Sequence, residues 1–96
     1  MKEENEIVYS VYVLQSLKDL KYYRGLSSDV QSRVQQHNAG KVRSTKSRRP
    51  FKLVYQEEVG TLSEARQREK YLKTSAGRKF IEKMLHREKV SGSLPA

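Results

Sequence analysis

Residues 7–26 read IVYSVYVLQSLKDLKYYRGL. The first ten, Ile7 to Ser16, are rich in β-branched and aromatic residues and predict a strand. Their near-continuous apolar character suits a central strand covered on both faces. Leu17 to Lys21 is a short polar turn, and Tyr22 to Leu26 (YYRGL) predicts a second strand, so the pair forms a hairpin.

Outward from the hairpin, Ser28 is a helix cap with Gln31 as its capping-box partner, for a helix over Asp29 to Asn38. Ala39-Gly40 ends it, with Gly40 as the left-handed cap. KVRSTKSRRP (41–50) is a basic loop closed by Pro50, and Phe51 to Val59 predicts a third strand. Gly60 breaks that strand, Thr61 and Glu64 form a capping box, and a second helix runs to about Lys73. Ser75 caps a last helix, Ala76 to about Lys89, with Phe80, Ile81, Met84 and Leu85 on one face. The expected fold is α+β, a three-stranded antiparallel sheet flanked by three helices in the order β-β-α-β-α-α. Residues 1–89 make one domain and 90–96 a disordered tail.

The chain has 96 residues, enough for one small domain. It has no cysteine, which excludes disulfide-linked partners and thiolate metal sites and suits a reducing cytoplasm. No apolar run reaches the roughly 18 residues a membrane span needs. Net charge is +9 and unevenly spread: residues 21–52 carry +8, against −2 over 1–20 and +3 over 53–96. One third of the chain therefore holds nearly all the excess, the footprint of a polyanion-binding surface.

Three polar groups fall where apolar ones belong. With 100° per residue and Ala65 at zero, Glu69 lies near 40°, between Leu62 at about 60° and Leu72 at about 340°. A carboxylate on that stripe is costly unless it is paired or binds a cation. In the first helix Arg33 and His37, one turn apart, share a face beside Val30 and Val34. Six of eight aromatics are Tyr. Tyr12 lies in the first strand and Tyr22 and Tyr23 in the second, close across a hairpin. Each alone reads as a ring in a core; a phenol beside Arg and Lys can also be pushed below about 10 and take a proton.

Together these residues resemble the GIY-YIG nuclease superfamily. The match is to its small single-domain branch, similar to the nuclease module at the start of bacterial excinuclease C. The motifs are SVY at 10–12, YRG at 23–25, LSSDVQSRVQQHN at 26–38, RRPFKLVYQEE at 48–58 and SEARQREKYLK at 63–73. Each is weak alone, and their order and intervals make them specific from about Val8 to Lys79. The resemblance puts Tyr12 and Tyr23 on the two motif tyrosines, Arg33 on the helical Arg, His37 one turn on and Glu69 on the metal-binding Glu. Ser10 and Arg24 depart from the pattern, standing for its first Gly and middle Ile. An Asn beyond the Glu is missing over 70–96, leaving that place vacant or to Thr74 or Ser75.

The implied activity is metal-dependent hydrolysis of phosphodiester bonds in DNA, or RNA, in repair or mobile-element biology. Glu69 would hold one Mg²⁺ or Mn²⁺, since Mg²⁺ keeps several waters and takes phosphate oxygens. Arg33 would grip phosphate in a fork. Tyr12, helped by Tyr23 or His37, would take the proton from water. Arg24, Lys41, Arg43, Lys46, Arg48, Arg49 and Lys52 would hold the backbone. The rival is a non-catalytic nucleic-acid-binding module using the same 21–52 segment, to which a carboxylate facing phosphate brings only repulsion.

Overall fold

Alternation along one strand builds both layers of the molecule. The computed structural model describes residues 6–93, with side chains over 6–87. Strand β1 (Tyr9–Ser16) lies between β2 (Tyr22–Ser27) and β3 (Phe51–Gly60), antiparallel to both. With α1 (Val30–Asn38), α2 (Leu62–Leu72) and α3 (Ser75–Ser93) the order is β-β-α-β-α-α, the expected α+β fold. Successive strand side chains point to opposite faces. Val11 and Val13 accordingly pack against Leu72 and Ile81 of α2 and α3, while Tyr12 and Leu14 pack against Val30 and Phe51 on the α1 face. Burying a side chain of this kind contributes about 1.5–3 kcal/mol. The expected central strand, covered on both sides, is what forms.

Local chemistry sets the ends of the elements. Thr61 and Glu64 form the expected capping box at the start of α2. Helix α1 is capped one residue later than expected. Asp29, not Ser28, accepts from Ser32 N, and the Ser28–Gln31 capping box does not form. A carboxylate is the better acceptor at the positive end of a helix, and Ser27 Oγ fixes it by accepting from Asp29 N. Gly40 follows the end of α1 with φ 80°, as its left-handed cap requires. At α3 the hydroxyl that receives Gly77 N belongs to Thr74, so Ser75 is the first helical residue rather than the cap. A Cβ on Gly77 would strike the backbone of Tyr71 and Leu72, so α3 leaves α2 at a contact only glycine allows. The expected tail at 90–96 falls partly on α3, whose backbone is helical to Ser93, and partly, at 94–96, outside the described residues.

Two clamps hold the loops. Arg68 of α2 binds Glu57 of β3 through both Nε and a terminal nitrogen, at 2.8 and 3.0 Å, in a bidentate fork. The basic loop, which contains a 3-10 turn at Lys46–Arg48, is tied to the β1–β2 hairpin. Ser16 Oγ donates to Arg48 O, Leu17 N to Pro50 O, and Arg48 pairs with Asp19 at 3.0 Å. Asn38 adds a third tie, its side chain exchanging two hydrogen bonds with the Phe51 backbone. The end of α1 is thereby fixed beside the start of β3. No helix among the described residues is long and apolar enough to cross a membrane.

Candidate active site

Tyr12 stands opposite Gly25 in the β1–β2 ladder, so both residues present the α1 face. The Tyr12 ring lies across the space a side chain at 25 would occupy: a Cβ there would come within 2.6 Å of its Cζ and Oη. Held so, Tyr12 is 1% exposed and its hydroxyl meets His37 Nε2 at 3.0 Å. His37 is wholly buried, and its Nδ1 meets Thr45 Oγ1 at 2.8 Å. The Thr45 hydroxyl donates to Val42 O, which leaves its oxygen to accept from His37 Nδ1–H. Nε2 is then the acceptor of the Tyr12 proton. The buried row runs from Tyr12 through His37 and Thr45 to the Val42 carbonyl.

Other expected residues gather on this hydroxyl. Arg33, one turn before His37, lies near the Tyr12 hydroxyl, where its guanidinium favours the phenolate, and donates to Gln36 Oε1 at 2.8 Å. Tyr23 packs edge-on to His37, with ring centroids 5.0 Å apart, and 6.4 Å from the Tyr12 ring. The Glu69 charge also reaches Tyr12. Side chains from β2, α1 and α2 thus act on one β1 phenol, His37 by a hydrogen bond, Tyr23 by ring packing and Arg33 and Glu69 by their charges.

The electrostatics correct one expectation. Of the two readings of these phenols, the one lowered by cations does not hold for Tyr12: burial pushes it up to about 12, helped by Tyr23, and Arg33 offsets only part of it. Its hydroxyl is a neutral donor at neutral pH. Burial, then the charge of Arg33, lowers His37 from 6.5, which keeps the imidazole neutral and able to accept.

Glu69 is mostly buried along α2, its side chain 23% exposed, with Lys73 at 3.4 Å as its ion pair. That partner is over half exposed and free to swing away. Among the described residues no three His, Cys, Asp or Glu side chains converge as a metal cage. One carboxylate suits a hard ion that fills its shell from water and phosphate, as Mg²⁺ does, and does not suit a caged site.

The expected backbone-binding residues divide three ways. Lys41, Arg43, Lys46, Arg49 and Lys52 are exposed along the loop and the start of β3. Arg48 is turned inward, paired with Asp19 and stacked over Phe51. Arg24 pairs with Val13 in the ladder and lies on the opposite face from Tyr12 and Tyr23. Thr74, one candidate for the missing Asn, is occupied in capping α3. Thr45 was not singled out in the sequence; a small β-branched residue in a basic loop carries no signal until the loop folds onto α1.

The model of the GIY-YIG catalytic domain matches residues 8–82. Curated relatives include a UPF0213 protein of Staphylococcus haemolyticus, 46% identical over 65 residues, covering 67% of this chain and 78% of the relative. A UPF0213 protein of Staphylococcus saprophyticus is 41% identical and one of Staphylococcus aureus strain Mu3 is 43% identical, each over 72 residues, 74% of this chain and 87% of the relative. No solved structure matches significantly.

Proposed function

The chain belongs to the GIY-YIG family, a nuclease family whose catalytic domain its residues 8–82 match, and on that footing we propose that it is a metal-dependent endonuclease hydrolysing phosphodiester bonds of DNA. The supporting observation is the convergence on Tyr12 Oη of His37 Nε2 at 3.0 Å, the Arg33 guanidinium and the field of Glu69. A structural core has no use for that combination of groups around a buried phenol.

Each side chain has a task its environment explains. Arg33 turns its fork from Tyr12 to the non-bridging oxygens of the scissile phosphate and neutralises developing charge. A lone pair of Tyr12 Oη faces the attacking water. Water gives a proton to Tyr12 Oη as the Tyr12 proton passes to His37 Nε2, and the oxygen of that water forms the new P–O bond while the bond to the leaving oxygen breaks. Burial makes a free phenolate at Tyr12 costly, so the two transfers belong together. Thr45 keeps the accepting nitrogen of His37 turned to Tyr12. The low affinity of His37 for a proton releases it afterwards. Glu69 would hold a Mg²⁺ or Mn²⁺ ion, which supplies Lewis-acid stabilisation of the phosphate and leaving oxygen. The exposed cations of the basic loop hold the strand. Such an activity suits the cytoplasm and DNA repair or mobile-element biology.

The test is cleavage of labelled single-stranded, duplex and flapped DNA with and without Mg²⁺ or Mn²⁺. Cleavage should need the ion and vanish with chelator. Glu69→Ala should abolish it while leaving metal-free binding equal or tighter. Arg33→Ala should cost about 100- to 1000-fold in rate, with weaker binding. Cleavage that survives Glu69→Ala unchanged refutes the metal assignment. No cleavage with either ion on any of the three DNAs leaves a binding module.

A further inference from the structure

Arg24 and Tyr23 are neighbours in β2 and must point to opposite faces of the sheet. Tyr23 joins the site around Tyr12; Arg24 turns toward α3. There its guanidinium lies over the Tyr22 ring, 5.9 Å from the centroid, while its Nε is buried with no hydrogen-bond partner. Contact with a ring face leaves an in-plane N–H unsatisfied, and a buried charged donor without an acceptor is unfavourable.

The surroundings sharpen the anomaly. Arg24 lines a cavity of about 420 Å³ with Lys21 of the hairpin turn, Tyr22, and Arg78 and Glu82 of α3. Burial, then the Arg78 charge, pushes the Arg24 guanidinium below its usual range, with Glu82 opposing the shift. The Glu82 charge thus acts on Arg24, yet among the described residues no ion pair within 4 Å joins Glu82 to any of the three cations. Three cations against one carboxylate leave a net charge of +2. They come from β2, the turn and α3, and so approach from different directions. A tetrahedral oxyanion offers acceptors on all sides, whereas a carboxylate offers two in one plane.

We propose that this cavity, on the sheet face away from Tyr12, is a phosphate-binding site in which Arg24, swung off the Tyr22 ring so that its Nε is uncovered, and Arg78 are the guanidinium donors and Lys21 closes the charge. The phosphate has two sources, a nucleic-acid strand crossing the second face or a free phosphate or mononucleotide. The strand source rests on the nuclease reading; the site does not. A strand held there would give the domain contacts on both faces of its sheet.

The experiment follows the Arg24 Nε–H resonance of the full chain by NMR, without metal. It is titrated separately with inorganic phosphate, adenosine monophosphate and single-stranded oligothymidylate. A saturable shift with the small anions, weakened about tenfold in Arg78→Gln, supports the site. A shift with the oligonucleotide as well, with the salt slope of DNA binding reduced by about 1 in Arg78→Gln, assigns the phosphate to a strand. A shift with the small anions alone assigns it to a free ligand. No saturable shift with any of the three overturns the proposal. Arg78 is exposed on α3, so this variant keeps the readout even where Arg24→Gln does not fold. None of these readouts needs cleavage, so failure of the nuclease reading shows separately, in the cleavage assay.

Discussion

Single atoms decide what Tyr12 can do. Gly25 leaves room for its ring, and Gly25→Ala would set a methyl 2.6 Å from Cζ and Oη. The ring must move, which should cost about 1–3 kcal/mol in chemical denaturation and break the bond to His37, with loss of cleavage. His37 links the site to pH. Its pKa is lowered in the fold from 6.5, so the unfolded chain binds more protons just below that value. Stability should therefore be flat above about pH 6.5 and fall with acid until the folded imidazole also protonates. His37→Gln should flatten that fall in a series of melting temperatures between pH 7 and 5, and an unchanged fall would contradict it. Asp19, also lowered, begins to lose its contribution only as the pH falls to about 4, below that window. The positions of Tyr12, Arg33, His37 and Glu69 were legible from strand and wheel arithmetic. The direction of the Tyr12 shift was not, because burial outweighs the cations that composition reveals. Arg24 was grouped with the loop cations, although strand parity puts it on the face away from Tyr23.

Elements obey local rules, with exceptions that tertiary ties explain. The hairpin turn holds Leu20 at φ 65°, a left-handed conformation that costs an L-residue about 1–2 kcal/mol, and the side chain is 64% exposed. Leu20→Gly removes that strain with little packing lost and should raise stability by up to about 1 kcal/mol. A lower melting temperature would show that the side chain matters to the turn. The Thr61–Glu64 box and Gly40 stop were readable because the partners are three residues apart or the conformation belongs to one residue. The α1 cap was misread by one because Ser27, Ser28 and Asp29 all offer oxygens, and the choice depends on Ser27 binding Asp29 N. Thr45 belongs to the same class. Its role exists only once the loop is tied through Ser16 and Asp19 to the hairpin.

The charge of the molecule is divided by the fold. Of the cations in 21–52, Arg24 faces α3, Arg33 faces Tyr12 and Arg48 binds Asp19. Lys41, Arg43, Lys46, Arg49 and Lys52 remain exposed around the loop. If these five meet phosphates, log K against log salt on duplex DNA should slope by about −4 to −5. Lys46→Ala with Arg49→Ala should bring the slope to about −3, while Arg48→Ala should loosen the loop and leave the slope near its original value. A slope flatter than about −2 in the parent would remove the loop as the footprint. The sequence showed where the charge lies along the chain. Which cations face outward needed the sheet.

The eight residues of β1 carry site on one side and core on the other. A one-residue insertion or deletion next to Tyr12 that no bulge absorbs would put a valine where Tyr12 meets His37 and a tyrosine among Leu72 and Ile81. Substitutions can accumulate on either side of this strand without disturbing the other, but its length cannot drift. Length variation among descendants of this sequence should therefore collect outside the ladder, and an insertion scan should find β1 the least forgiving stretch of the chain.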